Sequence, residues 1–301
     1  MSSRTTPALV NSGTSVNGQG PVEPPRETWY KHRVDLRYSL RKLWGRRDMI
    51  YTLAERDIRS NYKQAALGFG WAFINPVANL IIFSVIFSHV KNFKVPGVPY
   101  PIYMYCGLII WGFFSGALAS GSAAILQNLA LMQKTHFPRA CFPLSQVLEQ
   151  IVYTTIAWIP LCLLFVIYQY LPHWQIVLFP ILALIELLFT SGVTLFFCAA
   201  IVYIRDLNNL MGLLMQFGLF ATPVIWPFTK IPVSWHGLPL RGIYSFMNPL
   251  GPVIDGFRNI LLLGTFPDWT YLGIGAIGAL LYFTLGFRIF ERLEVGIADI
   301  A

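Results

Sequence analysis

The chain has 301 residues, 55% of them hydrophobic and only 12% charged, with a formal net charge of +8. A soluble domain carries roughly twice that charged fraction, and so few charges could not cover a globular protein of this size. The composition excludes a water-soluble globule and reads as a membrane protein.

The first element is an N-terminal extension over residues 1–45. As far as residue 25 it is rich in Ser, Thr, Gly, Asn and Pro without a hydrophobic period, which reads as a disordered cytoplasmic tail. From Trp29 to Arg47 it turns basic, and Trp29, Leu36, Leu40, Leu43 and Trp44 recur at near-helical spacing. That pattern suits a helix lying on an anionic leaflet. The first 30 residues contain no apolar stretch, so no cleavable signal peptide is expected.

Asp48 to Ala66 is predicted as an amphipathic helix. Ile50, Tyr51, Ala54, Ile58, Tyr62 and Ala65 fall on one face, with Glu55, Arg56, Arg59 and Lys63 on the other. It turns at Gly68 and Gly70 into the first span. An interface helix with a mechanical role and an ordinary juxtamembrane helix both fit this pattern.

Six charge-free runs follow: Gln64–Val90, Val95–Gln133, Gln150–Ile185, Leu187–Ile204, Leu207–Thr229 and Trp269–Phe287. Each is close to or above the roughly 20 residues that cross about 30 Å of hydrocarbon as a helix. Six crossings is the simplest count. Pro96, Pro99 and Pro101 place the second helix at about Tyr103–Asn128, and Leu171-Pro172-His173-Trp174 parts the third from the fourth, about Ile176–Tyr203. With the N-terminus inside, 17 of the 22 Lys and Arg residues fall in inside segments. Both termini are therefore expected to be cytoplasmic. Between the fifth and sixth spans, Ile231–Gly264 is too polar and proline-rich to cross. Leu250–Gly264 within it reads as a short amphipathic helix, re-entrant or interfacial on the outer side, with Gly264 as its stop.

Cys106, Cys141, Cys162 and Cys198 have no C-x-x-C spacing and read as small apolar filler rather than metal ligands or disulfides. No Lys follows a Gly, so a phosphate-cradling P-loop cannot occur. Zinc-protease and nucleophile-elbow motifs are absent too. Of the intramembrane acids, Glu149 lies near the inner end of the third helix and Glu186 within the fourth. A lone carboxylate makes no proton relay, so Glu186 is expected to hydrogen-bond within the bundle. Asp255 and Arg258, three apart, read as a local ion pair.

Several stretches in order resemble a known family. Glu55-Arg56-Asp57-Ile58-Arg59-Ser60-Asn61-Tyr62-Lys63 leads into Leu67-Gly68-Phe69-Gly70-Trp71 and Asn75-Pro76. Asn128 to Lys134, Phe137-Pro138-Arg139, Phe142-Pro143-Leu144 and Arg205-Asp206-Leu207 follow. Thr222 to Pro227, Asn248-Pro249-Leu250 and Gly256-Phe257-Arg258 close the series. Together these resemble the membrane-spanning permease subunit of ABC-2 type exporters of lipid-linked polysaccharides, the O-antigen and teichoic-acid exporter family, over about Arg46–Leu293. The chain departs from the family pattern in its longer start. Within the family, that long basic extension resembles the actinobacterial branch that exports the lipid-linked galactan of the cell wall.

The resemblance implies an all-α integral membrane fold. It has six transmembrane helices, an N-terminal amphipathic interface helix, and short re-entrant or interfacial outer helices before the last span. Residues 46–293 would be the transmembrane domain and 294–301 a cytoplasmic tail. The protein would sit in the bacterial inner membrane as a homodimer with two copies of a separate ATP-binding subunit. ATP and Mg would bind that partner, no cofactor or metal would bind this chain, and no nucleic acid is involved. Coupling to the ATPase falls on Asn128, Leu131, Lys134, Phe137, Pro138 and Arg139. The lipid's phosphates would come in beside Arg56, Arg59 and Lys63, where solvation and attraction to anionic lipid explain the same residues.

Sugars present C–H faces that pack on aromatic rings. Two aromatic stripes at helical spacing could line a passage: Phe69, Phe73, Phe83 and Phe87 on the first span, and Phe217, Phe220 and Phe228 on the fifth. Lipid-facing or helix-packing aromatics give the same spacing. Two other functions fit the sequence: an ABC-2 exporter of a small lipid or drug, and a membrane glycosyltransferase or acyltransferase. The latter needs a placed acid, base or nucleophile.

Overall fold

Apolar runs punctuated by proline fold here as helices that start at, or just after, the prolines. The computed structural model describes residues 40–41, 43–63, 70–87, 97–134 and 138–300. The N-terminal tail, Phe69 and Phe137 lie outside them. The α-helices of the described residues lie in the unit beginning at Asp35, and no β-strand forms there. They are α1 (Arg47–Lys63), α2 (Gly70–Phe87), α3 (Tyr100–Ser122), α4 (Ala124–Gln127), α5 (Leu129–Lys134) and α6 (Cys141–Ile167). Then come α7 (Phe179–Tyr203), α8 (Asp206–Ala221), α9 (Leu240–Met247), α10 (Leu250–Arg258) and α11 (Trp269–Ile300).

Among the described residues, four stretches are long and apolar enough to cross a membrane: Tyr100–Ser122, Cys141–Ile167, Trp174–Tyr203 and Trp269–Glu294. α2 and α8, with 18 and 16 residues, fall outside that set. At about 1.5 Å per residue, α8 is shorter than the fifth charge-free run implied, because Thr222 turns extended ahead of Pro223. The second helix begins at Tyr100 rather than Tyr103, with Pro99 as its N-cap and Pro101 in its first turn. It also stops sooner. The chain breaks at Ala123 into α4, which Asn128 closes by donating Nδ2 to Ala124 O at 2.9 Å.

α7 and α11 make the closest helix pair. A Cβ on Gly192 would lie 2.5 Å from the Phe283 backbone, and one on Gly286 would overlap the Gly192 carbonyl. Small residues permit that approach, which dispersion then rewards where lipid offers no hydrophobic drive. Two apolar clusters fill the bundle. The larger spans α3, α6, α7 and α10, with Tyr105, Leu161, Leu182 and Phe257 in it. The smaller lies at the α1 end around Ile125, Phe142, Cys198 and Phe290.

Leu250–Gly264 forms the expected short helix, as α10 followed by a π-helical turn over Asn259–Leu263 that ends on Gly264 at φ 64°. Tyr170, His173 and Gln175 meet the carbonyls of Leu262, Leu261 and Gly264. They satisfy backbone groups that a helix end leaves open.

Three cysteines, Cys106, Cys141 and Cys198, are buried as filler, whereas Cys162 is exposed. Cys141 sits in the first turn of α6.

Candidate functional site

At the α1 end a polar joint fastens three segments. Leu53 and Ala54 bury the inner face of α1, while Tyr51, expected on that face, stays exposed. The helix is rotated so that Asp57 meets α6, where Gln146 Nε2 donates to Asp57 Oδ2 at 2.7 Å. Arg56 pairs with Asp57 at 2.6 Å and donates from Nη2 to Asn128 Oδ1 at 2.8 Å. Asn61 Nδ2 donates to Glu149 Oε1 at 2.9 Å, and the Tyr153 hydroxyl donates to the same oxygen at 2.6 Å. Between them lies a cavity of about 440 Å³ lined by Arg56, Ser60, Asn61, Ser120, Gln127 and Gln146.

This joint changes the reading of the cations expected to draw phosphates. Arg56 already holds Asp57, and Arg59 holds Glu55 at 2.5 Å one turn back. The Lys63 side chain lies outside the described residues. What the sequence placed in two separate roles, Arg56 at the interface and Asn128 at the coupling segment, the fold brings into one hydrogen bond.

α5 carries most of the segment expected to couple to an ATPase. Leu129, Leu131 and Met132 lean on the smaller apolar cluster, leaving Ala130 exposed. The Lys134 side chain is outside the described residues. Arg139 is held from within the chain: its backbone N–H donates to Glu294 Oε1 at 3.0 Å and its guanidinium to the Glu294 carbonyl. Pro138, half-buried, precedes it.

The aromatic stripes divide. Phe217 and Phe220 are 71% and 52% exposed on α8. Phe228 does not share their helix, which is a correction to the stripe. α8 ends before Pro223, and Phe228 falls in a 3₁₀ turn, buried against Tyr244 and Tyr271 under the Arg241 guanidinium. On α2, Phe73 is half-buried, and the side chains of Phe83 and Phe87 lie outside the described residues.

At the opposite end, Arg258 is buried at 1% exposure and makes no ion pair with Asp255. Its Nε donates to Tyr103 O at 3.0 Å. Its Nη1 donates to Pro223 O at 2.7 Å and to the Tyr103 hydroxyl at 3.1 Å, and its Nη2 to Val224 O. The guanidinium carbon stacks 3.8 Å above the Tyr103 ring. Carbonyls left without donors where α8 breaks cost several kcal/mol in apolar surroundings. Arg258 supplies those donors, so pairing with Asp255 loses to it. Burial pushes the Asp255 carboxyl above its ordinary range, with Arg258 opposing. Sequence spacing along one helix could not reveal this, because the acceptors come from residues 35 and 155 positions away.

Glu186 also departs from expectation. It is 5% exposed, and its Oε1 has no hydrogen-bond partner among the described residues.

Comparison with known proteins places the chain. The family model for ABC-2 type transporters matches residues 49–262. The O-antigen export system permease protein RfbA of Myxococcus xanthus is 29% identical over 229 residues, 76% of this chain and 86% of that protein. A protein of the same name from Klebsiella pneumoniae is 26% identical over 274 residues, 89% of this chain and 99% of its own length. The polysialic acid transport protein KpsM of Escherichia coli is 21% identical over 244 residues, 79% of this chain and 91% of that protein.

Proposed function

Because this chain belongs to the ABC-2 type transporter family, we propose that it is the permease subunit of a polysaccharide exporter in the bacterial inner membrane. Two copies form the passage for a lipid-linked glycan, and two copies of a separate ATP-binding subunit drive it. The observation that carries this reading is the near end-to-end match to an O-antigen export permease.

α8 supports the pairing of two copies. Of its 16 residues only Met211 is buried, and Asn208, Asn209 and Gln216 are exposed on it beside Phe217 and Phe220. Amide side chains facing hydrocarbon are costly, so this helix needs a second copy or a water-filled path against it. In the proposed cycle, ATP binding closes the partner subunits on the segment from Asn128 to Arg139. The Arg56–Asn128 and Arg139–Glu294 contacts then pass that motion to α1 and α11. The lipid's phosphates come in beside α1, and six helices cross the bilayer with α1 on its cytoplasmic surface.

Depleting the chain in its own host tests the proposal. Lipid-linked glycan should accumulate on the cytoplasmic side while its synthesis continues. Unchanged surface glycan would overturn the exporter reading. Glycan or acyl transfer by the purified chain would favour the transferase class instead.

A further inference from the structure

We propose that the cavity between α6 and α7 is a binding site for a lipophilic organic cation, an ammonium on an apolar body, whose head sits against Glu186. The cavity holds about 390 Å³, within the ~300–1,000 Å³ of small-molecule sites. Its lining includes Glu186 and Thr154, whose Oε1 and Oγ1 are buried and have no hydrogen-bond partner among the described residues. Its wall carries three aromatic rings, Phe113, Trp158 and Phe179. The mouth is open: Ile151 and Leu184, which also line it, are 41% and 57% exposed.

The chemistry follows from what the cavity offers and lacks. No Lys, Arg or His is among the described residues lining it, so none of them supplies a counter-charge to a Glu186 carboxylate. Burying a polar atom without a partner costs several kcal/mol, and an intramembrane acid normally has a named partner. A carboxylate together with aromatic faces is the combination that holds an ammonium, through Coulomb attraction and through the ring quadrupoles. Thr154 Oγ1 accepts a second N–H. The remaining wall has Pro180, Ala183, Leu187 and Thr155, whose hydroxyl donates to the Ile151 carbonyl at 2.8 Å, and it accommodates an apolar body. An anionic amphiphile is repelled, and a plain hydrocarbon leaves both polar atoms as they are. The site is separate from the α1 joint and from α8, so it stands whether or not the exporter reading does.

Trp158 supplies the readout. The full chain is placed in phosphatidylcholine nanodiscs and titrated with 11-bromoundecylammonium. The Trp158 signal is the quenching lost in a W158F variant. Saturable quenching is expected with the ammonium probe and not with 11-bromoundecanol or 11-bromoundecyl sulfate at equal bilayer concentration. Glu186→Gln should raise the half-saturating concentration about tenfold, the loss of a desolvated charge partner. Thr154→Val should raise it about threefold, the loss of one neutral hydrogen bond. Ala183→Phe, which fills the cavity, should abolish saturation if Glu186→Gln fails to fold. Equal quenching by ammonium and alcohol probes, an unchanged midpoint in Glu186→Gln or Thr154→Val, or no saturable quenching in the parent chain would each overturn the proposal.

Discussion

Arg139 is bound to Glu294 at both its ends, the backbone N–H to the carboxylate at 3.0 Å and the guanidinium to the carbonyl. The segment leading into α6 is thereby tied to the end of α11, 155 residues away. Replacing Arg139 with Glu sets two carboxylates together and removes the donor to the Glu294 carbonyl. The expected cost is ~1 kcal/mol, since both side chains are partly solvated. In reconstituted complex the variant should hydrolyse ATP while exporting less glycan per ATP. The E294R change should recover part of that ratio in the double variant. Unaltered coupling in R139E would show that the tie carries no motion.

The α7–α11 contact gives a sharper stability test. Gly286→Ala forces the two backbones apart, and overpacking of this kind costs about 1–3 kcal/mol. Gly273→Ala on the same helix has nothing within 4 Å of its new methyl group. Alanine also favours a helix over glycine by roughly 1 kcal/mol. Thermal unfolding in detergent should therefore fall for G286A and hold or rise for G273A. Equal behaviour of the two would remove the close approach as the cause.

Arg258 is expected to tolerate no conservative replacement. Its planar fork serves acceptors on two segments, at Tyr103 and at Pro223-Val224, and a lysine ammonium is a single point with a shorter reach. Arg258→Lys leaves buried carbonyls without donors and a buried charge poorly held, at a cost of about 3–5 kcal/mol. The measurable result is a collapse in folded yield on size exclusion, with proteolysis appearing first between α8 and α9. Arg258→Lys at parental yield would show those carbonyls to be satisfied otherwise.

These three contacts mark where sequence reading stops. Charge-free length and proline positions located the start of α3, both ends of α7 and the start of α11 to within three residues, because span length and missing N–H groups are local properties, whereas α6 starts ahead of its charge-free run and α11 continues past its own. The extent of α8 was misread, since hydropathy continues past Pro223 although the helix does not. Partners such as Asn128 for Arg56, or Tyr103 for Arg258, sit 72 and 155 residues away, and no periodicity reports them. Tyr51 had the spacing of a buried residue and is 60% exposed. The reason is that Asp57, a polar residue, took the face toward α6 in exchange for Gln146. Glu186 was visible as an anomaly, but the unpartnered Thr154 beside the same cavity was not.

The remaining prediction concerns α8 as a wall of the proposed passage. Phe217 and Phe220 are three apart, share a face, and are 71% and 52% exposed. They carry no core packing, so Phe217→Ala with Phe220→Ala should leave folding and capture of the ATP-binding subunit unchanged. One aromatic ring packed on another contributes about 0.5–1.5 kcal/mol beyond area, and a sugar C–H face offers a ring a contact of that order. Losing two of them on each of two facing helices should slow export several-fold. Phe228 belongs with Arg241 and Tyr271 instead, so Phe228→Ala should lower stability and change export only through it. The control is Ile277→Ala with Leu280→Ala on α11, exposed at 65% and 53% and aliphatic. Export by the phenylalanine pair variant matching that of the α11 control would mean that α8 presents its rings to lipid, and the aromatic wall on this helix would be wrong.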